Sequence, residues 1–344
     1  MTITLVNSDP EPARQDWQTQ LRESVRSGPA LLAQLGLDPE DVAFSAMASD
    51  SFPVKVPAAF LARIRRGDPE DPLLLQVLAS NSEQLEVPGF SRDPVGETGD
   101  ANSAPGVIQK YRGRALLIAS GGCAIHCRYC FRRHFPYGQN QNSRGDWAGV
   151  LSALAADTSI SEVILSGGDP LVLGDEQLAE LVQLIAAIPH VQRLRIHSRL
   201  PVVIPDRVTD ALLGAICDER LHTILVIHSN HANELDDAVA QALTAARGAG
   251  ISVLNQSVLL AGINDNVDAL VALSERLFEA GALPYYLHLL DKVQGAAHFD
   301  VGEDQARRLL AAVTAQLPGY LVPRLAREVE GAASKIVIVA EAAG

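Results

Sequence analysis

From Arg114 onwards, short apolar runs alternate with longer amphipathic stretches, and this alternation limits the folds open to the chain more than any other feature. The runs read as strands, and the stretches between them show the spacing of helices with one apolar face. Strands that recur about every 30 to 47 residues, with helices between them, predict βα units and a parallel sheet. The predicted strands are Ala115–Ala119, Glu162–Leu165, Arg193–His197, Thr223–His228, Ser252–Gln256 and Tyr285–Leu290. The predicted helices are Trp147–Ala156, Asp175–Ile188, Asp206–Cys217, Glu234–Arg247, Val267–Ala280 and Glu303–Leu317. Six units favour an α/β fold built as a partial (β/α)6 barrel over the closed eight-stranded form.

The first third of the chain lacks this alternation and is predicted to form short helices and a linker. Short helices are predicted around Trp17–Leu37 and Ala58–Arg66. A stretch rich in Pro, Gly, Ser and Asp then runs from Pro88 to Pro105 and reads as a linker. We therefore predict a helical extension with its linker over residues 1–106, and a barrel with a C-terminal segment over residues 107–344.

Polar residues follow each of the six predicted strands. Gly and Ser commonly close strands, so any one of these endings has a purely structural explanation. All six together indicate a functional rim, because functional groups of such barrels collect where strands end and βα loops begin. The endings are Ser120-Gly-Gly-Cys123, Ser166-Gly-Gly-Asp169-Pro170, His197-Ser198-Arg199, His228-Ser-Asn-His231, Asn255-Gln256-Ser257 and Asp291-Lys292.

Three of the four cysteines, Cys123, Cys127 and Cys130, fall within eight residues after the first predicted strand. An Fe–S cluster is usually held by four thiolates, so three leave either a fourth ligand elsewhere or one open iron atom. The remaining cysteine, Cys217, lies in an apolar helical pattern and reads as a small buried hydrophobic residue. The C-x3-C-x2-C spacing therefore favours a cluster with an open iron, and it is typical of radical S-adenosylmethionine (SAM) enzymes.

Other uses of three close cysteines fit the sequence less well. Zinc sites prefer paired cysteine knuckles, and no second pair of Cys or His follows these three closely in the sequence. A disulfide framework needs paired cysteines and an oxidising compartment, but the first ten residues show no secretory signal. We expect reduced thiols and a cytoplasmic protein.

Composition excludes several functional classes. A chain that is 47% hydrophobic and 20% charged is typical of a globular protein with a sizeable core. The net charge of −13, without a basic tract, argues against unspecific nucleic-acid binding. No apolar stretch reaches the roughly 18 residues that a membrane span needs.

The second strand ending, Ser166-Gly167-Gly168-Asp169, resembles the Gly-Gly-Glu-type motif of radical SAM enzymes, whose backbone holds the amino group of SAM. Glycines allow the close backbone approach that this role requires. Gly-Gly-Asp-Pro is also an ordinary turn, so the motif gains its weight from following the cysteine-bearing strand.

Several longer segments narrow the resemblance to the lysine 2,3-aminomutase family. They are Tyr111-Arg-Gly-Arg114, Cys130-Phe-Arg132-Arg133-His134, Ser166–Leu171, Ser198–Pro205, Asn255–Leu260 and Pro284–Asp291. The run Cys-Arg-Tyr-Cys-Phe-Arg-Arg-His-Phe-Pro-Tyr resembles most the branch linked to β-lysylation of elongation factor P. The resemblance implies a partial radical SAM barrel that converts L-lysine to β-lysine with a 4Fe–4S cluster, SAM and pyridoxal phosphate.

The resemblance also implies roles for individual residues. Lys335 matches the lysine that holds pyridoxal phosphate covalently, although without the resemblance it reads as a solvated lysine at the start of a strand. Arg132 matches the arginine for the substrate carboxylate, whereas Arg133 reads as a surface residue. Asp291 and Glu328 match two carboxylates for the ε-ammonium of lysine, with Glu328 replacing the aspartate of the lysine mutases. Tyr111 and Arg114 are expected to contact the phosphate group of pyridoxal phosphate. Ser166, Gly167, Gly168 and Asp169 are expected to contact SAM. Arg199, His228 and Gln256 are expected to contact one of these two cofactors.

Two other functions stay open at this point. One is an aminomutase for another amino acid, such as glutamate, which Asp291 and Glu328 would repel. The other is an Fe–S electron-transfer or carrier protein, which would need a fourth thiolate and no lysine-linked cofactor. The expected partners are L-lysine, an external electron donor, and elongation factor P with its lysyl ligase; self-association into a homo-oligomer is left open.

Overall fold

The computed structural model describes residues 16–99, 101–140 and 147–340. Within them, ten strands form one sheet in chain order from β1 to β10. The strands are β1 Asn102–Ala104, β2 Val107–Ile108, β3 Arg114–Ser120, β4 Glu162–Gly167, β5 Arg193–Ser198, β6 His222–His228, β7 Ser252–Val258, β8 Leu283–His288, β9 Arg324–Arg327 and β10 Ile336–Val337.

The middle of the sheet is parallel from β3 to β9. Short antiparallel strands flank it, with β1 and β2 on one side and β10 on the other. Because β1 and β10 are the two ends of the strand order, the sheet is open within the described residues. The six predicted strands correspond to β3–β8, and the α/β fold class is confirmed.

Twelve α-helices lie in the described residues. They are α1 Trp17–Arg22, α2 Gly28–Leu35, α3 Ala46–Ser51, α4 Ala58–Leu61, α5 Tyr137–Asn140, α6 Trp147–Ala156, α7 Asp175–Ala186, α8 Leu200–Val203, α9 Asp210–Ile216, α10 Asp237–Gly248, α11 Val267–Glu279 and α12 Glu303–Gln316. The side chains of Thr209, Asp236 and Asn266 accept hydrogen bonds from the first turns of α9, α10 and α11 and so fix where these helices begin. None of the helices described is long and apolar enough to cross a membrane.

Two of the N-terminal predictions need correction. The stretch Trp17–Leu37 forms two helices, because α1 ends at Arg22 and the Ser27 hydroxyl caps a new helix that carries a proline in its first turn. The predicted helix Ala58–Arg66 is helical only over Ala58–Leu61 and continues as turns.

The N-terminal helices share a hydrophobic core with the barrel. Leu31, Phe60 and Leu74 belong to the same buried cluster as Leu117 of β3 and Leu165 of β4. The extension is therefore packed against the sheet, while the boundary between residues 106 and 107 stays a prediction.

Candidate active site

The cysteine loop leaves the carboxyl end of β3, and the N-terminal extension holds it there. The Nζ of Lys55 donates to the backbone oxygen of Cys123 at 2.5 Å. The backbone N–H of His126 donates to Lys55 O at 3.1 Å, and that of Arg128 donates to Gln76 O at 2.9 Å. The loop that carries the three thiols is thus fixed by contacts that involve no thiol.

A buried ion-pair cluster anchors the same loop. The Arg128 side chain is fully buried and donates to both carboxylate oxygens of Glu83, at 2.8 and 2.5 Å. Arg133 donates to Glu83 at 2.7 Å, and its side chain is only 3% exposed. The interpretation of Arg133 as a surface arginine is therefore wrong, because a carboxylate 50 residues earlier in the chain pairs with it.

The thiols themselves fit a multi-iron cluster. No three His, Cys, Asp or Glu side chains converge on a single point anywhere in the described ranges, as they would around one metal ion. A cluster of several irons does not require such convergence, since its thiolates bind different iron atoms. Burial raises the pKa of Cys123 well above its usual range, with Cys130 adding to the effect, and burial raises that of Cys130 to about 11. Such thiols lose their protons only when a cation compensates the charge.

Cys217 lies apart from this loop. It follows α9 and precedes β6, whereas the other three cysteines follow β3. Since β3 and β6 run in the same direction, these positions lie at opposite ends of the sheet. The residue is only partly buried and its Sγ lies 3.7 Å from Ala249 O, so the structure offers it a packing role near the surface.

Two glycines let the next loop pack directly on the cysteine loop. Gly167 has a φ of +125°, and a Cβ there would lie 2.3 Å from the backbone oxygen of Ser120. A Cβ on Gly168 would lie 2.4 Å from Gly122 O and 3.0 Å from the Sγ of Cys123. The backbone N–H groups of Gly168 and Asp169 donate to Ser120 O and Gly122 O, both at 2.7 Å. Only glycine fits this contact.

Asp169 binds protein groups in this structure. Its buried carboxylate accepts hydrogen bonds from the Ser198 hydroxyl at 2.7 Å and from the backbone N–H groups of Arg199 and Leu200 at 2.9 and 3.0 Å. Burial raises its pKa to about 6, although these hydrogen bonds oppose the rise. Asp169 therefore joins the loop after β4 to the loop after β5, and any contact to SAM from this segment would come from its backbone.

Arg199 links the cysteine loop to the barrel. Its guanidinium donates to the Sγ of Cys127 at 2.7 Å, to Glu234 at 2.8 Å and to Gln76 at 2.7 Å. Burial alone would lower the pKa of Arg199, but the negative charge near Cys127, Tyr129 and Glu234 raises it well above its usual range. A permanent cation thus faces one of the three thiols.

Five charged side chains form an alternating row on the other side of the site. Arg132 donates to both oxygens of Glu97, at 2.6 and 2.8 Å, and to the Ser166 hydroxyl at 2.9 Å. Lys110 lies between Glu97 and Glu328, 3.4 and 3.2 Å from one oxygen of each. The other oxygen of Glu328 accepts from the Nζ of Lys335 at 3.0 Å. We call Arg132, Glu97, Lys110, Glu328 and Lys335 the charge row.

The two carboxylates predicted to bind an ammonium group differ in protonation. Burial would raise the pKa of Glu328, but Lys335 and Lys110 outweigh it and lower the pKa to about 2. Burial raises the pKa of Asp291 to about 7, even though Lys335 opposes the rise. Glu328 is therefore a permanent anion, while Asp291 gains its charge near neutral pH.

Several buried polar atoms of the parallel strands have no hydrogen-bond partner in the described residues. They are the Nε2 atoms of His197, His228 and His288 and the Nε atoms of Arg114 and Arg195. Burial lowers the pKa of His228 to about 3 and that of His288 well below its usual value, so both rings are neutral. Buried polar groups without partners are costly, and the three histidine atoms near the carboxyl ends of β5, β6 and β8 fit a polar occupant such as a phosphorylated cofactor.

The remaining predicted cofactor contacts lie close to these atoms. Gln256 of β7 is the register partner of His228 on β6. The Arg114 guanidinium lies over the ring of Tyr111 at 4.7 Å. Burial raises the pKa of Tyr111 above its usual range, and the Glu328 charge adds to the rise.

Sequence reasoning missed the residues that support the predicted site. Glu97 lies in the segment interpreted as a linker, and Gln76 and Glu83 belong to the extension. Each partners a site residue that lies at least 35 positions away in the chain. Among the supporting residues, only Lys110 could have been found from the sequence, because it directly precedes the segment Tyr111–Arg114 that resembles the family.

Comparison with known proteins first defines the class. A family model described as the radical SAM superfamily matches residues 117–273. This range contains the cysteine loop, the glycine loop and β4–β7. The chain is thus a radical SAM protein, a class whose chemistry uses a 4Fe–4S cluster and SAM.

Relatives that match nearly the whole chain identify the family within this class. The L-lysine 2,3-aminomutase of Escherichia coli (strain K12) is 49% identical over 94% of this chain and 94% of its own length. The protein of the same name from Haemophilus influenzae is 47% identical over 93% of this chain and 95% of its own length. That from Acetoanaerobium sticklandii is 30% identical over 94% of this chain and 78% of its own length. The chain belongs to the lysine 2,3-aminomutase family.

Proposed function

We propose that this protein moves the α-amino group of L-lysine to C3 and so forms β-lysine. Family membership supports the reaction type, since the relatives named above are L-lysine 2,3-aminomutases. The observation that carries the choice of substrate is the contact of 3.0 Å between Lys335 Nζ and Glu328. It is an alkylammonium on a partly buried carboxylate, the same chemistry that the side chain of a lysine substrate would need.

We assign the two ends of the substrate to different residues. Arg132 would bind the carboxylate, because a guanidinium binds carboxylates in a planar, directional way. Asp291 and Glu328 would bind the ε-ammonium and exclude an anionic side chain. Arg132 binds Glu97 through its Nε and one terminal nitrogen, and its other terminal nitrogen donates to the Ser166 hydroxyl and to Gly167 O, so the substrate carboxylate would have to replace one of these contacts.

The cofactors would occupy the groups without partners. Cys123, Cys127 and Cys130 would hold the cluster, and the backbone of Ser166–Asp169 would hold SAM; together these supply radical chemistry when bound. Lysine 2,3-aminomutases use pyridoxal phosphate, which binds the migrating amino group. Lys335 would anchor it, and Tyr111 and Arg114 would face its phosphate. Arg199, His228 and Gln256 are the further contacts that we assign to the cofactors.

Product analysis tests this proposal. Protein reconstituted anaerobically with iron, sulfide and pyridoxal phosphate is incubated with SAM, a reductant and either L-lysine or L-glutamate. We expect β-lysine from lysine and no β-amino acid from glutamate, because Glu97, Asp291 and Glu328 place carboxylates around the site. Preference for glutamate would contradict the proposal. An Fe–S carrier would show the cluster absorbance but no lysine-linked cofactor band and no product.

The cellular context is a separate part of the proposal. The resemblance to the branch linked to elongation factor P supports a role in supplying β-lysine to a ligase that attaches it to that factor. An external electron donor and a cytoplasmic location belong to the same proposal. Mass spectrometry of elongation factor P, after incubation with the ligase and the product of this protein, tests the link; attachment of α-lysine alone would contradict it.

A further inference from the structure

Two of the four lysines in this chain meet on one carboxylate. Lys110 and Lys335 bind the two oxygens of Glu328, at 3.2 and 3.0 Å. Lys110 lies 3.4 Å from Glu97 as well, and the side chains of Lys110, Glu97 and Glu328 are only 15%, 5% and 13% exposed. One shielded ammonium therefore joins two shielded carboxylates that are far apart in the chain.

Each of these carboxylates also contacts one end of the proposed substrate pocket. Glu97 holds the guanidinium of Arg132, the group assigned to the substrate carboxylate. Glu328 is itself assigned to the substrate ε-ammonium. Lys110 thus lies between the group that positions one end and the group that binds the other. Without a cation between them, two neighbouring carboxylates repel each other and one of them takes up a proton or moves away.

We infer that Lys110 is a positioning residue that sets the distance between Arg132 and Glu328 and thereby the preference for lysine over a diamino acid one methylene shorter. This inference rests on the proposed function, because it takes both ends of the pocket from it. Lys110 has no reacting atom to contact in this arrangement. Its role is to keep Glu97 and Glu328 at the separation that suits a four-carbon side chain.

Binding measurements test the inference without any turnover. Protein loaded with cluster and pyridoxal phosphate, but without reductant, is titrated calorimetrically with L-lysine and with L-ornithine. We expect the ratio of the two dissociation constants to favour lysine in the parent and to fall by about ten-fold or more in Lys110→Met, the scale on which one methylene is normally discriminated. Lys110→Arg retains the cation and should keep most of the preference.

Controls separate positioning from folding. Lys292→Met is the matched substitution at a lysine that is 58% exposed and pairs only with Asp300 among the ion pairs described, and it should leave the ratio unchanged. Iron content and cofactor absorbance should be normal in every variant. If Lys110→Met does not load its cofactors, Lys110→Gln provides the second neutral variant.

The outcomes distinguish the two proposals. A ratio that is unchanged in the loaded neutral variant, or affinities for both ligands that fall equally, would overturn the role of Lys110. Absence of β-lysine formation by the parent under reducing conditions would instead overturn the proposed function, and the binding ratio is measured independently of it.

Discussion

The guanidinium of Arg199 donates a hydrogen bond of 2.7 Å to the sulfur of Cys127. The same guanidinium is held by Glu234 and Gln76, so its direction is fixed by two groups that lie outside the cysteine loop. Hydrogen bonds to the sulfurs of a cluster, and positive charges beside it, favour the reduced form and help set the reduction potential. Arg199 therefore offers a way to shift that potential without changing a ligand.

We expect Arg199→Lys to make the reduction potential of the cluster more negative, because the shorter and more flexible ammonium cannot keep all three of these contacts. Redox titration followed by electron paramagnetic resonance measures the potential, and iron content serves as the control for cluster assembly. A normal iron content with an unchanged or more positive potential would contradict this role.

Replacement of Cys123, Cys127 or Cys130 by Ala should abolish cluster assembly, whereas Cys217→Ala should leave it intact. The reason is that the first three share one loop after β3, while Cys217 lies at the other end of the sheet. Iron quantitation on the four reconstituted variants is the measurement. Loss of half or more of the iron in Cys217→Ala would mean that this thiol is a fourth ligand.

Gly168→Ala should prevent the loops after β3 and β4 from packing together, since the new methyl group would lie 2.4 Å from the backbone oxygen of Gly122. Such an overlap with backbone costs on the order of 1–3 kcal/mol in the free energy of unfolding. The matched control is Gly174→Ala, where the nearest atom to the added methyl group is 3.7 Å away. Chemical denaturation compares the two, and equal stabilities would show that the glycine loop tolerates a side chain.

Borohydride reduction of the protein loaded with pyridoxal phosphate should trap the cofactor on Lys335. This lysine is the only one beside both Glu328 and the unpaired histidines of the strands among the residues described. Burial lowers the pKa values of His228 and His288, and the charge of Lys335 adds to both shifts. Peptide mass mapping locates the adduct. An adduct found only on Lys292 would show that Lys335 is not the anchor.

Asp291→Asn should reduce kcat/KM for lysine by an amount equivalent to on the order of 2–5 kcal/mol, because the substrate ammonium loses one of its two carboxylates. The pKa of Asp291 is raised to about 7 from 3.8, so this carboxyl is neutral below that pH and becomes an anion as the pH rises through it. In the parent, kcat/KM should therefore increase as the pH passes through about 7. Pre-steady-state and steady-state rates across this range are the test.

Asp291→Asn should lose both the activity towards lysine and the rise of kcat/KM near pH 7, while its cluster and cofactor absorbances stay intact. Near-normal activity of Asp291→Asn towards lysine would show that Glu328 alone selects the ammonium group.

The sequence allowed the central fold to be predicted because its signals are local. Strands β3–β8 and the helices that follow them repeat an apolar pattern over five or more residues, which is long enough for periodicity to be visible. Strands β2 and β10 have only two residues each, so they are defined by pairing with distant segments instead of by their own pattern. The break between α1 and α2 was missed because apolar residues continue through Val25, although Ser27 and Pro29 start a new helix there.

The residues of the site that could not be predicted also lack a local sequence signal. The cysteines and glycines can be recognised from their spacing in the sequence. Lys335, Arg132 and the two carboxylates expected to bind the ammonium group were predicted from the resemblance to the lysine 2,3-aminomutase family. Glu97, Gln76 and Glu83 act through contacts that span 35 to 123 positions in the chain, and a carboxylate or amide in a polar segment has no local pattern that reveals such a partner. Long-range pairing of buried charges is visible only in three dimensions.

Trimming the chain to its barrel would remove the residues that fasten the cysteine loop. Arg128 would lose the carboxylate of Glu83 together with the backbone oxygens of Phe52 and Ala48, and the backbone of Cys123 would lose Lys55. We therefore expect any fragment of this protein that accepts iron and sulfide to begin well before β3. Because synthesis proceeds from the amino terminus, the groups that receive the cysteine loop already exist when that loop leaves the ribosome.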